Sequence, residues 1–167
     1  AAWHERRRML RAAFFTGLVN ASARFDSQFG PLERPAHQNT SWDRARFESA
    51  GHRFADLSFG GWGVAVLNDC KYGYKVLNGE ISLNLLRSPV HPDPDADQGS
   101  HLFTYSLLPH GGDLRDSSVF AEATSLNQLP LVFGGLASKE AALMLPAHID
   151  GEGVVFEVMK KAERGEA

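Results

Sequence analysis

Between Leu85 and Phe103 the chain reads LLRSPVHPDPDADQGSHLF. Arg87, His91, Asp93, Asp95, Asp97 and His101 crowd into this stretch. Their types suit three roles: metal ligation, ligand binding or a solvated connection. Asp93, Asp95 and Asp97 have the alternate spacing with which a calcium loop begins. Such a loop also needs Gly at its sixth position and a bidentate Glu at its twelfth, and here those positions hold Gln98 and Thr104. The flanks read as strands, not helices. Pro92 and Pro94 are expected to keep the segment extended, so that the three carboxylates do not converge on one ion. A solvated loop is the commoner outcome for such a charge run. For zinc, His91 and His101 stand ten positions apart, and the chain holds neither HExxH nor paired cysteines. Hydrogen-bonded loop histidines are the commoner reading, and no metal ligand set is assigned.

Other combinations are less specific still. Cys70 in LNDCKYGY has Lys71 beside it, and a cation can lower a thiol pKa. Strand neighbours point to opposite faces, however, so a buried, inert thiol is expected. No GxSxG elbow supports a nucleophilic serine. FGGWG lacks the following helix and the Lys-Ser/Thr of a phosphate-binding loop.

The elements that must position these residues are mostly short strands. LVNASARFDSQF alternates, with Val19, Ala21, Ala23 and Phe25 on one face. WGVAVLND, KYGYKVL, HLFTYSLLP and GVVFEVMKK are strand-like. Asn78-Gly79 between two apolar runs signals a type I′ hairpin. GPLERPAHQNTSW reads as a long loop. ERRRMLRAAFF fits either a helix or a strand. Asp113 is expected to cap one short helix over LRDSSVFAEATSLN, burying Leu114, Val119, Ala123 and Leu126. Many strands with one short helix give a mainly all-β fold, a β-sandwich.

The composition agrees with that fold class. The chain has 167 residues, 43% of them hydrophobic and 22% charged, which is room for one domain with a real core. The net charge of -3 gives no electrostatic case for nucleic acid or an anionic membrane. No apolar run reaches the roughly 20 residues that span a bilayer, and AAWHERRRML is no signal peptide. A single cysteine excludes an internal disulfide and suits a reducing compartment. Opening in charged sequence without Met, the chain is expected to be a piece of a longer protein. From the residues alone it is a β-rich binding or accessory domain.

Three stretches together resemble one family: FGPLERPAHQNTSWDRARFESAGHRFADLS, GVAVLNDCKYGYKV and LLRSPVHPDPDADQGSHLFTYSLLPH. They are similar to the C-terminal β-domain of glycoside hydrolase family 38 α-mannosidases, in the branch of cytosolic and many bacterial enzymes. VVFEVMKKAERG resembles the family's late strand. WHERRRMLRAAF resembles a strand, which decides that ambiguity. The resemblance covers essentially the whole chain, residues 1–167, as one β-sandwich domain or part of one. It departs at Phe59, where an acidic residue is usual, and at Ala36, where Thr is usual.

The resemblance implies a galactose-mutarotase-like supersandwich belonging to a retaining, cytoplasmic enzyme that hydrolyses terminal α-linked mannose. Such enzymes use a carboxylate nucleophile and a zinc ion held by two Asp and two His of an N-terminal catalytic portion. Those motifs are not in this chain, so no catalytic residue and no metal ligand is expected here, and the chain alone is expected to be inactive. Its implied partners are a mannose-containing glycoside and its own catalytic domain. The position matching Arg87 helps to build the sugar site, a role that suits a planar guanidinium. A second reading has Arg87 pin the Asp93–Asp97 loop. Asp69, Lys71 and Tyr72 are further candidates for the cleft, and packing between domains explains them equally. Two rivals remain: a stand-alone carbohydrate-binding module, with Trp42 and Trp62 exposed together, and a purely structural domain with an exposed apolar face.

Overall fold

Alternation and turn chemistry decide most of this architecture. A computed structural model describes residues 2–19, 22–130 and scattered positions beyond 130. The chain divides into two units, Ala1–Pro130 and Leu131–Ala167. In the second, Lys160 pairs with Glu163 at 3.2 Å. The expected strand GVVFEVMKK falls largely outside the described residues.

The first unit runs β1 (Ala2–Trp3), β2 (Leu10–Phe15), β3 (Ser22–Phe25), β4 (Leu32–Arg34), α1 (Ser41–Ala45), β5 (Ser49–Ala50), β6 (Phe54–Phe59) and β7 (Trp62–Asn68). It continues with β8 (Gly73–Leu77), β9 (Glu80–Leu86), β10 (Gly99–Ser100), β11 (Tyr105–Gly111), a 3-10 turn (Leu114–Asp116) and α2 (Val119–Asn127). One antiparallel sheet has the order β11-β7-β6-β3-β4, a second β2-β9-β8-β5, and β1 pairs with β10.

The five-stranded sheet is covered on both faces. Ala23, Phe25, Ala55, Leu57 and Val66 pack with Tyr74, Ile81, Leu83 and Leu85 of the four-stranded sheet, forming the sandwich core. Their odd-even partners Phe54, Ala65 and Leu67 point the other way, onto Leu114, Val119 and Ala123. WGVAVLN is therefore buried almost throughout, as expected of a strand with two covered faces. Each fully buried Leu, Val or Phe contributes about 1.5–3 kcal/mol of apolar transfer.

The all-β sandwich expected from the sequence is the fold observed. Asn78 (φ 50°) and Gly79 (φ 80°) form the type I′ turn between Leu77 and Glu80, which are paired. LRAAFF is a strand.

Several expectations need correction. The supposed loop at 30–42 contains β4 and leads into a second short helix, α1. Thr40 and Asp43 cap that helix reciprocally: Asp43 N donates to Thr40 Oγ1 at 3.1 Å and Thr40 N to Asp43 Oδ2 at 3.0 Å. Asp113 caps only the 3-10 turn, because Ser117 and Ser118 interrupt the helix before Val119. The alternating strand at Val19 begins only at Ser22, and Val19 is exposed. Leu102 also lies outside a strand and is exposed.

Candidate functional site

Residues 94–97 turn rather than run extended, against the expectation from the prolines. Ala96 N donates to Asp93 O at 3.4 Å, Gln98 N to Asp95 O at 3.1 Å, and Asp95 N to Asp93 Oδ1 at 2.9 Å. The short Asp side chain favours such a turn by accepting from its own main chain. Asp95 accepts instead from Arg6 Nη2 at 2.7 Å. Asp97 Oδ2 accepts from the main-chain N–H groups of both Arg87 and Ser88, each at 2.9 Å. The three carboxylates thus serve three different partners. Among the described residues no three His, Cys, Asp or Glu side chains are placed to hold one metal ion.

Among the described residues the Arg87 guanidinium makes no ion pair with the acidic loop, whereas the Asp97 carboxylate holds the main chain at Arg87. Ser88 is fully buried and receives Trp3 Nε1 on its hydroxyl, while its carbonyl accepts from Arg7 N at 2.8 Å. Arg87 therefore leaves a firmly fixed strand end, and its own residue is exposed. The main-chain donors of Ser88 and Arg87 hold the Asp97 carboxyl below its ordinary pKa, with Lys71 and His101 adding attraction.

Asn68, at the end of β7, builds the neighbouring loop. It is buried, and its carbonyl oxygen accepts from Cys70 N at 3.0 Å and from Lys71 N. Its amide donates to His52 O at 3.0 Å and to the Tyr74 hydroxyl. Burial pushes the Tyr74 hydroxyl well above its ordinary pKa, so it stays protonated. The turn after Asn68 presents Asp69, Cys70, Lys71 and Tyr72. With His52, Arg53, Asn68 and Asn127 they line an open depression of about 400 Å³.

Three of the four expected cleft residues thus share one depression, while Arg87 is not among its lining residues. Asp69 is largely committed: its N–H donates to Thr104 O at 3.2 Å and its Oδ1 accepts from Thr104 N at 3.3 Å. A hydrogen bond from the Cys70 thiol, first, and the contacts with Thr104 lower its pKa. Cys70 is exposed, not buried as expected from strand alternation, because it lies in the turn beyond β7. Its thiol is pushed up by partial burial and by Asp69, so the effect of Lys71 is outweighed. Lys71 Nζ sits 4.7 Å from the centre of the Phe103 ring, on which His101 stacks at 5.8 Å. His101 Nε2 lies 2.9 Å from Asp97 O. Tyr72 is 64% exposed, with its ring edge-on to His52 at 5.8 Å.

Asn68, His52, Arg53 and Phe103 are the positions that sequence reasoning missed, and Asp97 was read there as a metal or loop carboxylate, not as the group that holds the main chain at Arg87. Only Asn68 carried a local signal, an Asn ending an apolar strand just before a turn. The others meet the site through long-range packing.

The comparisons bear on what this arrangement serves. Residues 1–95 match the family model described as the C-terminal domain of glycosyl hydrolases family 38. Alpha-mannosidase G of Dictyostelium discoideum is 46% identical over 170 residues, covering 98% of this chain and 15% of that protein. Alpha-mannosidase 2C1 of Homo sapiens is 44% identical over 161 residues, covering 96% of this chain and 16% of its own length. A crystal structure of an alpha-mannosidase from Enterococcus faecalis V583 superposes with a TM-score of 0.62 at 25% identity, over 70% of this chain and 14% of that one. The chain therefore spans about a sixth of the curated relatives it matches.

Proposed function

The chain belongs to glycosyl hydrolase family 38, and from this premise we propose that it works as the C-terminal β-domain of a longer retaining α-mannosidase, completing the sugar cleft from the side of β9. The observation that carries the reading is identity of 46% and 44% to α-mannosidases over nearly the whole chain. In this reading a second portion of the protein, N-terminal to residue 1, supplies the carboxylate nucleophile and a zinc ion that binds sugar hydroxyls. Among the described residues no three His, Cys, Asp or Glu side chains converge, so they do not fit a zinc site. The substrate class is a terminal α-linked mannoside and the working compartment the cytoplasm.

What this chain contributes is positioning. Arg87, fixed at its main chain by Asp97, is held at a strand end where its guanidinium can grip a sugar hydroxyl or a neighbouring carboxylate. Tyr72 and Lys71 offer a hydroxyl and a cation on the adjacent loop. A purely structural role is the second reading, favoured by the exposed Phe15 (82%) and Phe29 (109%). Trp42 (75%) on α1 and Trp62 (45%) on β7 are each exposed, whereas a binding module requires them to be exposed together.

A chromogenic α-mannoside assay with added zinc tests the assignment. The longer protein should turn over the substrate and the 167-residue chain should not. Turnover by the chain alone, surviving repurification and lost on mutation within it, would overturn the reading.

A further inference from the structure

A smaller cavity lies away from the depression described above, where β4, α1 and β8 come together. It is partly open to solvent, with a volume of about 40 Å³, and Arg34, His37, Asp43 and the exposed Arg46 line it together with the apolar Phe25 and Val76. A water needs roughly 10–15 Å³ of such space, so the cavity has room for a group of a few heavy atoms.

The charges around it are unevenly matched. Arg6, Arg8, Arg11, Arg24 and Arg53 all form ion pairs. Among the described residues Arg34 and Arg46 form none, which is equally true of Arg7, Arg44, Arg87 and Arg115; Arg34 differs from these in its buried Nε–H. The Arg34 Nε–H is buried and has no hydrogen-bond partner there. A buried donor left unpaired on a charged group is expensive, so such a group ordinarily has an acceptor. Asp43 is the adjacent anion, but its Oδ2 is already committed to Thr40 N at 3.0 Å and lies 3.7 Å from His37 Nδ1. The Thr40 contacts hold the Asp43 carboxyl below its ordinary pKa, so it is ionised at neutral pH. Among the lining residues Asp43 is the one carboxylate against the two guanidinium groups of Arg34 and Arg46.

We infer that this cavity binds a single carboxylate, held by Arg34 and Arg46 over the apolar floor of Phe25 and Val76. One negative charge balances the surplus, and the size suits a carboxylate better than a phosphate dianion. The apolar floor lowers the local dielectric and strengthens the contact. The carboxylate comes either from a small free acid or from an Asp or Glu side chain elsewhere in the longer protein. The inference is independent of the role proposed for Arg87.

The test titrates the 167-residue protein with sodium formate against sodium chloride at matched ionic strength, following the Arg34 Nε–H resonance by NMR and the melting temperature. Formate should give a saturable shift of that resonance and a rise in melting temperature that chloride does not give. Arg34→Gln and Arg46→Gln should each weaken formate binding by about ten- to a hundred-fold, the worth of a charge-assisted hydrogen bond, while Arg115→Gln, an exposed control, should not. Equal responses to the two salts, or a formate response that survives in both cavity variants, would overturn the inference.

The same melting experiment on the longer protein separates the two sources. If Arg34→Gln lowers its melting temperature and formate has no effect, a carboxylate of the protein itself occupies the cavity. If formate raises the melting temperature, the ligand is a free acid. No effect of either would also overturn the inference.

Discussion

The charged groups near β7 fall into two sets that differ in what their charges meet. Next to α2 the charged side chains pair with one another, although Asp26 also accepts from Arg53 N at 3.1 Å and Asp113 from Leu114 N at 2.8 Å. Asp26, only 4% exposed, accepts from Arg53 Nε at 2.8 Å and Nη2 at 3.2 Å, while Arg53 Nη1 donates to Thr124 of α2 at 3.0 Å. His110 Nε2 lies 2.7 Å from Asp56 Oδ1 with both side chains buried, and Arg24 pairs with Asp113. Gly63 makes the His110–Asp56 contact possible, since a Cβ there would come within 2.5 Å of His110 and of Ser58. Around the β7–β8 loop the carboxylates are spent on the main chain instead. Asp97 holds Arg87 N and Ser88 N, and Asp69 holds Thr104 N. The first arrangement neutralises its cations and fixes helix to sheet. The second stiffens a backbone and leaves Arg87 and Tyr72 facing outward.

Breaking the first set should cost most. Asp26→Ala leaves the Arg53 guanidinium half-buried without its main partner, and removing one member of a buried pair costs about 3–5 kcal/mol. The melting temperature should fall by about 10 °C or more, as calorimetry of the variant checks. A loss under 1 kcal/mol would place this pair with ordinary surface bridges.

Arg87→Ala sharpens the contrast from the other side. In the longer enzyme it should lower kcat/KM by about ten- to a hundred-fold, corresponding to roughly 1.5–3 kcal/mol. The melting temperature should barely move, since the side chain makes no ion pair among the described residues. Arg87→Lys should restore little, because a point charge lacks the planar fork. Unchanged kcat/KM with a clear drop in stability would remove Arg87 from the cleft.

Asp97→Asn should have the smallest effect, about 1 kcal/mol at neutral pH, because the group is partly solvated and an amide oxygen still accepts. Its pH dependence is diagnostic. The folded-state pKa lies below the ordinary 3.8, so the charge stabilises the fold above about pH 4. That contribution is lost as pH falls through the folded value. The wild-type advantage over Asp97→Asn should therefore shrink below pH 4 in urea titrations, and an advantage constant down to pH 2 would contradict the cause assigned to the shift.

Much of the fold was written locally. Asn78-Gly79 demands two residues at positive φ, which few other pairs tolerate, so its hairpin was legible from a dipeptide. The buried runs of β7 and β9 followed from apolar residues that a strand must hide. The same local logic was available for α1, whose capping residues Thr40 and Asp43 stand three apart, but the prolines and polar residues before them masked it. Family membership was legible too, because it rests on long runs of residue identity.

The site was not legible in this way. Asp69, Lys71 and Tyr72 were within reach as neighbours on one turn, yet nothing in their spacing says that Asn68 shapes that turn or that Thr104 occupies Asp69. Asp97 looked like one of three equivalent ligands until the fold brought only that carboxylate to the main chain of Arg87, ten residues earlier. Arg34 and Arg46 look like any two surface arginines until β4, α1 and β8 close around them. Local backbone preferences and period-two burial act between residues a few positions apart, so the chain by itself determined its main strands, its Asn78-Gly79 hairpin and its family, but not β4, α1 or the turn at 94–97. Which charge is paired, and which is left facing a cavity or solvent, depends on contacts between residues up to 89 positions apart, as for Arg24 and Asp113. Those contacts exist only once the sheets have packed, so tertiary structure alone decided them.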